Sequence, residues 1–202
     1  MSSMLKAAKR PAARAGVLAT VTAVTVGLLG AGTASAADKE LTFTGEFPII
    51  GTQSVKTVVH ADIPASVQPG DTVDVPFSLD VDAGASAGDG LRLIGATKLS
   101  GTITSSVTLT ANGGQTVPLS VEVPIPETPV PAQGPLTFKA DGTVKFTIPQ
   151  ETPTGEAKTT VDPKAGTHIK TDVQDPSLAE FDVNLQLDPP DQDTLLGTTQ
   201  VG

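Results

Sequence analysis

The stretch GTITSSVTLTANGGQTVPLSVEV, residues 101–123, decides the fold. Ile103, Ser105, Val107, Leu109 and Ala111 fall in one phase, and Val117, Leu119, Val121 and Val123 in another. Side chains two residues apart share one face of a strand, so each run reads as a strand with one buried face. Asn112-Gly113-Gly114 lies between them, and those residues tolerate the positive φ of a tight turn. The segment predicts two antiparallel strands joined as a hairpin.

The same alternation extends outward. Leu41, Phe43 and Phe47 share a phase, residues 54–63 are rich in Val and Thr before Pro64, and Val73, Val75, Phe77, Leu79 and Val81 share another. Pro76 sits on the opposite parity and cannot donate to a ladder, which predicts an edge or a bulge there. Residues 83–90 are small and polar and read as a loop. Residues 91–96 fit either a helical turn or a strand. Residues 124–131 are proline-rich and extended, with polyproline II character. They predict a crossover or linker, with a possible lobe boundary near 124–135. Residues 136–146 predict a second hairpin turning at Asp141-Gly142. Strands follow at 156–161, 167–173 and 179–187, with Phe181, Val183, Leu185 and Leu187 in phase. Residues 192–202 lack a partner pattern and predict a flexible C-terminal tail. Strands at this spacing with turn residues between them give an all-β fold. Its expected form is an antiparallel β-sandwich over residues 37–191, as one domain or two closely packed lobes. No long stretch has helical periodicity, which argues against crossover helices and a parallel sheet. Two short echoes, Ile63-Pro64…Gly70 with Ile148-Pro149…Gly155 and Leu41-Thr42-Phe43 with Leu136-Thr137-Phe138, do not amount to a repeat.

Residues 1–36 read differently. Lys6, Lys9, Arg10 and Arg14 precede an uncharged apolar run over residues 17–32, and Ala34-Ser35-Ala36 follows. A positive region, an apolar region and a small-x-small site form the secretory pattern, with the cut expected between Ala36 and Ala37 and Ala34 as the other small residue of the site. A second apolar run long enough to span a bilayer is lacking, so no membrane span is expected after cleavage. Of the 202 residues, 13 are basic and 22 acidic, for a net charge of −9. Cleavage removes four basic residues and no acidic one, leaving the remainder more acidic still. Such a chain is a poor match for nucleic acid, which requires clustered Lys and Arg. With no cysteine, stability must come from core area and ladder hydrogen bonds. The expected location is extracellular or loosely wall-associated, with an unknown extracellular or cell-wall partner.

The order of these pieces resembles a family of secreted actinobacterial proteins that carry a domain of unknown function. The resemblance rests on Ile63-Pro64-Ala65-Ser66-Val67-Gln68-Pro69-Gly70, the Thr/Val strands, Gly134-Pro135-Leu136-Thr137-Phe138 and Ile148-Pro149 with Gly155. It covers roughly residues 40–188 and implies an immunoglobulin-like fold and export. It implies no catalytic residue. A cysteine pair near the domain ends is frequent in that family; this chain has none.

Chemistry-bearing residues are few. His60 and His168 are the only histidines, and no Gly-x-Ser-x-Gly elbow accompanies them. Both read as strand histidines rather than members of a triad. All six Phe are in phase with core positions, and there is no Trp or Tyr. That leaves no exposed aromatic platform for sugars or single-stranded nucleic acid. Asp80, Asp82 and Asp89 flank a glycine-rich loop, and Asp188, Asp191 and Asp193 cluster later. Oxygen donors on loops suit calcium, but Asp80 and Asp82 share one strand face and the EF-hand order of ligands is absent, so a solvated acidic loop is the preferred reading. The expectation is therefore no catalytic residue, no metal ligand and no cofactor. The protein reads as secreted and non-enzymatic, with a binding or structural role. The alternatives are an enzyme inhibitor presenting residues 124–133 and a calcium-dependent adhesion module.

Overall fold

A computed structural model describes residues 35–202. The strands are β1 (Ser35–Phe47), β2 (Gly51–Ile63), β3 (Ser66–Val67), β4 (Thr72–Asp82), β5 (Lys98–Thr110), β6 (Thr116–Pro129), β7 (Thr137–Thr147), β8 (Gly155–Thr171), β9 (Glu180–Leu187) and β10 (Leu195–Val201). Two small helices, α1 (Gly84–Leu93) and α2 (Pro176–Ala179), complete the set. The strands form one mixed sheet in the order β3-β10-β8-β9-β1-β2-β4-β7, and β5 joins β8 to β6. All pairings are antiparallel except β3 with β10.

β8 is the branch point. One edge pairs with β5 along most of its length. The other edge is shared, with residues 155–160 on β10 and residues 164–170 on β9. β9 then meets β1 over three residue pairs, Phe43↔Leu187 to Gly45↔Leu185. At the two ends of this path, β6 and β7 lie against each other without a ladder. A Cβ placed on Gly142 of β7 would stand 3.8 Å from the Glu122 carbonyl oxygen and from the Val123 side chain of β6. The sheet thus curls until the apolar faces of its two halves bury a common core. Leu41, Val59, Leu79, Ile103 and Val123 belong to that core. A second, smaller cluster of Val67, Leu109, Ile148, Ala157 and Val201 closes one end.

The all-β expectation is met, and the hairpin at Asn112-Gly113-Gly114 forms with Leu109↔Val117 and Thr110↔Thr116 in register. Five local expectations need correction. The stretch read as a loop at 83–90 is most of α1. Its small residues are there because it packs closely: a Cβ on Gly88 would lie 2.7 Å from the Gly134 carbonyl oxygen. Close approach, rather than helix propensity, selects these residues. The proline-rich segment continues as β6, paired with β5 at Thr102↔Pro124 and Lys98↔Pro129. No linker falls at 124–129; the chain leaves the sheet over 130–136, between β6 and β7. Asp141-Gly142 does not turn, because both residues lie inside β7, opposite Ser78 and Phe77 of β4. Residues 156–161 and 167–173 are one strand, β8, rather than two. The expected tail forms β10, which buries Leu196, Thr199 and Val201. A register shift between Leu195 and Gly197 breaks the period of two and hides this strand from the sequence. Pro76 sits where the β2 ladder stops, at Ala61↔Phe77, so β4 is an edge only from there outward.

Gly101 lies at the bulge of β5 between β6 and β8. An alanine Cβ there would fall 2.0 Å from the His168 carbonyl oxygen. Gly101→Ala is expected to cost about 3 kcal/mol or more, or to prevent folding. Gly142→Ala, with nothing nearer than 3.8 Å, should change stability by less than about 0.5 kcal/mol. Urea denaturation of the two variants tests this contrast.

Candidate functional site

His60 lies on the outward face of β2. Its Nδ1 is 2.7 Å from Asp38 Oδ1 on β1, and its Nε2 is 2.9 Å from Asp80 Oδ2 on β4. Asp80 also meets Lys139 Nζ of β7 at 3.2 Å. An ionised carboxylate only accepts hydrogen bonds, so two such partners favour a ring with both nitrogens protonated. The Asp38 bond and then the Asp80 bond raise the His60 pKa above its ordinary value, and the His60 bond followed by that of Lys139 lowers that of Asp80. His168 on β8 repeats the theme, with Nδ1 2.7 Å from Asp182 Oδ1 directly across on β9 and Nε2 3.8 Å from Glu180. Both histidines are therefore fasteners between strands.

The acidic residues do not converge either. Asp82 accepts the Gly84 N–H at 2.9 Å at the start of α1, Asp89 pairs with Arg92, and Asp193 pairs with Lys39 at 2.6 Å. Among the described residues, no group of three His, Asp or Glu side chains is placed to hold a metal ion. Asp172, beyond the end of β8, accepts the Thr97 hydroxyl and, at 2.8 Å, the Thr97 N–H. The Thr97 bonds hold its carboxyl at about 2. Of the residues at the expected export cut, Ala34 lies outside the described residues. Ala36 and Ala37 stand in β1 opposite Asp62 and Ala61.

The feature that sequence reasoning missed is internal. An apolar cavity of about 120 Å³ runs between the two halves of the curled sheet. Phe43, Phe47, Phe77, Phe138 and Phe181 line it. Only Phe43 of these is fully buried. The other four are half-buried and border the space instead of filling it. The polar side chains of the lining are Thr57, Ser105 and Thr167, and none is ionisable. A second apolar cavity of about 40 Å³ lies beyond it, and Phe77, Val107 and Val121 border both. The first cavity is close in size to the ~150 Å³ apolar hole that stays dry and takes up benzene.

The lining reaches the surface at the β1–β2 turn. Ile49 there is 57% exposed, and its φ is 71°. A β-branched residue in the left-handed region is strained. Its neighbour Ile50 lies over α1, where a Cβ on Gly90 would come within 2.8 Å of it. The sequence held a signal for the void: the inward phase of β5 includes Ser105 and the inward phase of β2 includes Thr57, small groups where a full core would place large ones.

The model of a family of unknown function, DUF6801, matches residues 42–197, and the chain belongs to that family. No curated protein and no solved structure matches it. No helix among the described residues is long and apolar enough to cross a membrane.

The His60 contacts predict a pH dependence. A raised folded-state pKa gives stability that is complete below the ordinary value of 6.5 and is lost as pH rises through the folded value. The wild-type melting temperature should fall more between pH 6 and pH 9 than that of His60→Gln. The ring is about a third exposed and solvent screens it, so the gap should be on the order of 1–2 °C. Equal slopes in parallel thermal melts would remove the fastener role.

Proposed function

We propose that this member of DUF6801 is an exported, non-enzymatic binding protein that acts outside the cell, free or loosely held at the wall. The cavity carries the binding role. Its lining offers van der Waals contact on all sides and no ionisable group, so it suits retention of a ligand better than its conversion. Support for a non-enzymatic role comes from the histidines, whose rings face carboxylates on outer strand faces. Export rests on the positive, apolar and small-x-small order of residues 1–36. Cleavage between Ala36 and Ala37 would take only Ser35 and Ala36 from the described part of β1. For the architecture we propose an immunoglobulin-like sandwich. Its support is that β7-β4-β2-β1 and β6-β5-β8-β9 contribute to one core.

The inhibitor alternative relied on residues 124–133 as a projecting loop, and most of that segment is in the β6 ladder. The adhesion alternative relied on Asp80, Asp82 and Asp89, which engage His60, Lys139, the Gly84 N–H and Arg92.

Two measurements test the proposal. The chain recovered from the culture medium of a producing cell should begin at Ala37; retention of residues 1–36 in the cell fraction would refute export. Benzene, a small neutral probe, should raise the melting temperature with the logarithm of its concentration above the Kd and shift the methyl resonances of Val55, Leu79 and Val123. Unmoved resonances and an unmoved melt would refute binding in the cavity.

A further inference from the structure

The geometry points to one class of ligand for this cavity: a single unbranched alkyl chain, inserted from the β1–β2 turn with its polar head left outside, and with Phe77 setting how far it penetrates. This rests on the binding role proposed above and names the chemistry it serves.

Three observations converge. First, the lining has no ionisable group, and Thr57, Ser105 and Thr167 are its polar side chains. A charged or strongly hydrogen-bonding head placed inside would lose water without gaining partners. The inserted part is therefore hydrocarbon. Second, the space is elongated. The two cavities follow one another through the core, divided by Phe77, Val107 and Val121. An interior extended in this way fits a chain better than a fused ring system. Third, the divider has small residues directly across from it on both adjacent strands. Phe77 is half-buried, and its cross-strand neighbours are Ala61 on β2 and Gly142 on β7. Both of these direct neighbours are small, while Ile63 of β2 and Val144 of β7 border the second cavity with the ring. The β2 ladder ends at this pair, and Pro76 precedes it. A rotation of the ring would join the cavities and lengthen the site. The entrance has a matching character, for the strained Ile49 is exposed and the half-buried Phe47 lies beside the turn.

The experiment uses the chain from Ala37 onward and a series of normal alcohols from butanol to dodecanol, with binding followed by calorimetry and methyl resonances. Affinity should rise about fourfold per added methylene and then level off at a definite length. In Phe77→Ala the plateau should move to longer chains; Phe77→Leu, a milder change, covers the case in which the alanine variant does not fold. Ser105→Leu, which fills the first cavity, should weaken binding at least tenfold. Sodium dodecanoate binding like dodecanol would show that the head stays outside. Phosphatidylcholine vesicles carrying labelled dodecanoate form the last arm: transfer of the label to the protein from the vesicles would identify a bilayer as a source of the chain, and uptake only of dodecanoate dispersed in buffer would identify free single-chain molecules. Equal affinity for cyclohexanol and hexanol, or a plateau that ignores Phe77, would overturn the assignment. If benzene binds while no alcohol does, the alkyl class falls and the binding role stands; if neither binds, both fall.

Discussion

The double pairing of β8 is the constraint on which the rest of the structure depends. One strand carries β5 on one edge and divides the other between β10 and β9. Because its two edges lead to different parts of the chain, the sheet is continuous from β6 to β7 and must curl to bury its apolar faces. Without a cysteine, no covalent link limits the unfolded state, so these ladders and the core they enclose supply the cohesion. The small cluster around Ile148 and Val201 shows how local this dependence is. It exists because β10 adds to β8 and β3 adds to β10.

The strands were legible in the sequence wherever period two ran unbroken. β4 and the β5–β6 hairpin follow directly from their phases. The misread elements each have a physical cause. At β10 a register shift interrupts the period. At α1 a tertiary contact with Gly134 demands small residues that on their own suggest a loop. At β7 the Asp-Gly pair has turn chemistry, yet Phe138, Ala140, Gly142, Val144 and Phe146 keep their phase straight through it. That continuity is the better guide.

The candidate site was legible only in part. The six Phe were correctly placed in phase with the interior, but phase states which way a side chain points and not whether the space it enters is full. A void arises from the sum of volumes on facing strands, and those strands are far apart in the chain. Ser105 and Thr57 become informative once β2 and β5 are known to face one space. The histidines illustrate the opposite case. That both are strand histidines was legible in the sequence, whereas their carboxylate partners Asp38, Asp80 and Asp182 depend on register.

The prolines of β6 have a consequence for the molecule in company. β6 pairs with β5 alone, and residues 118, 124, 126 and 129 are prolines with no N–H to offer on either edge. A strand that displaced β7 from this edge would meet gaps in the row of donors it requires. A crowded population of these molecules is thereby discouraged from zipping into fibrils along this side.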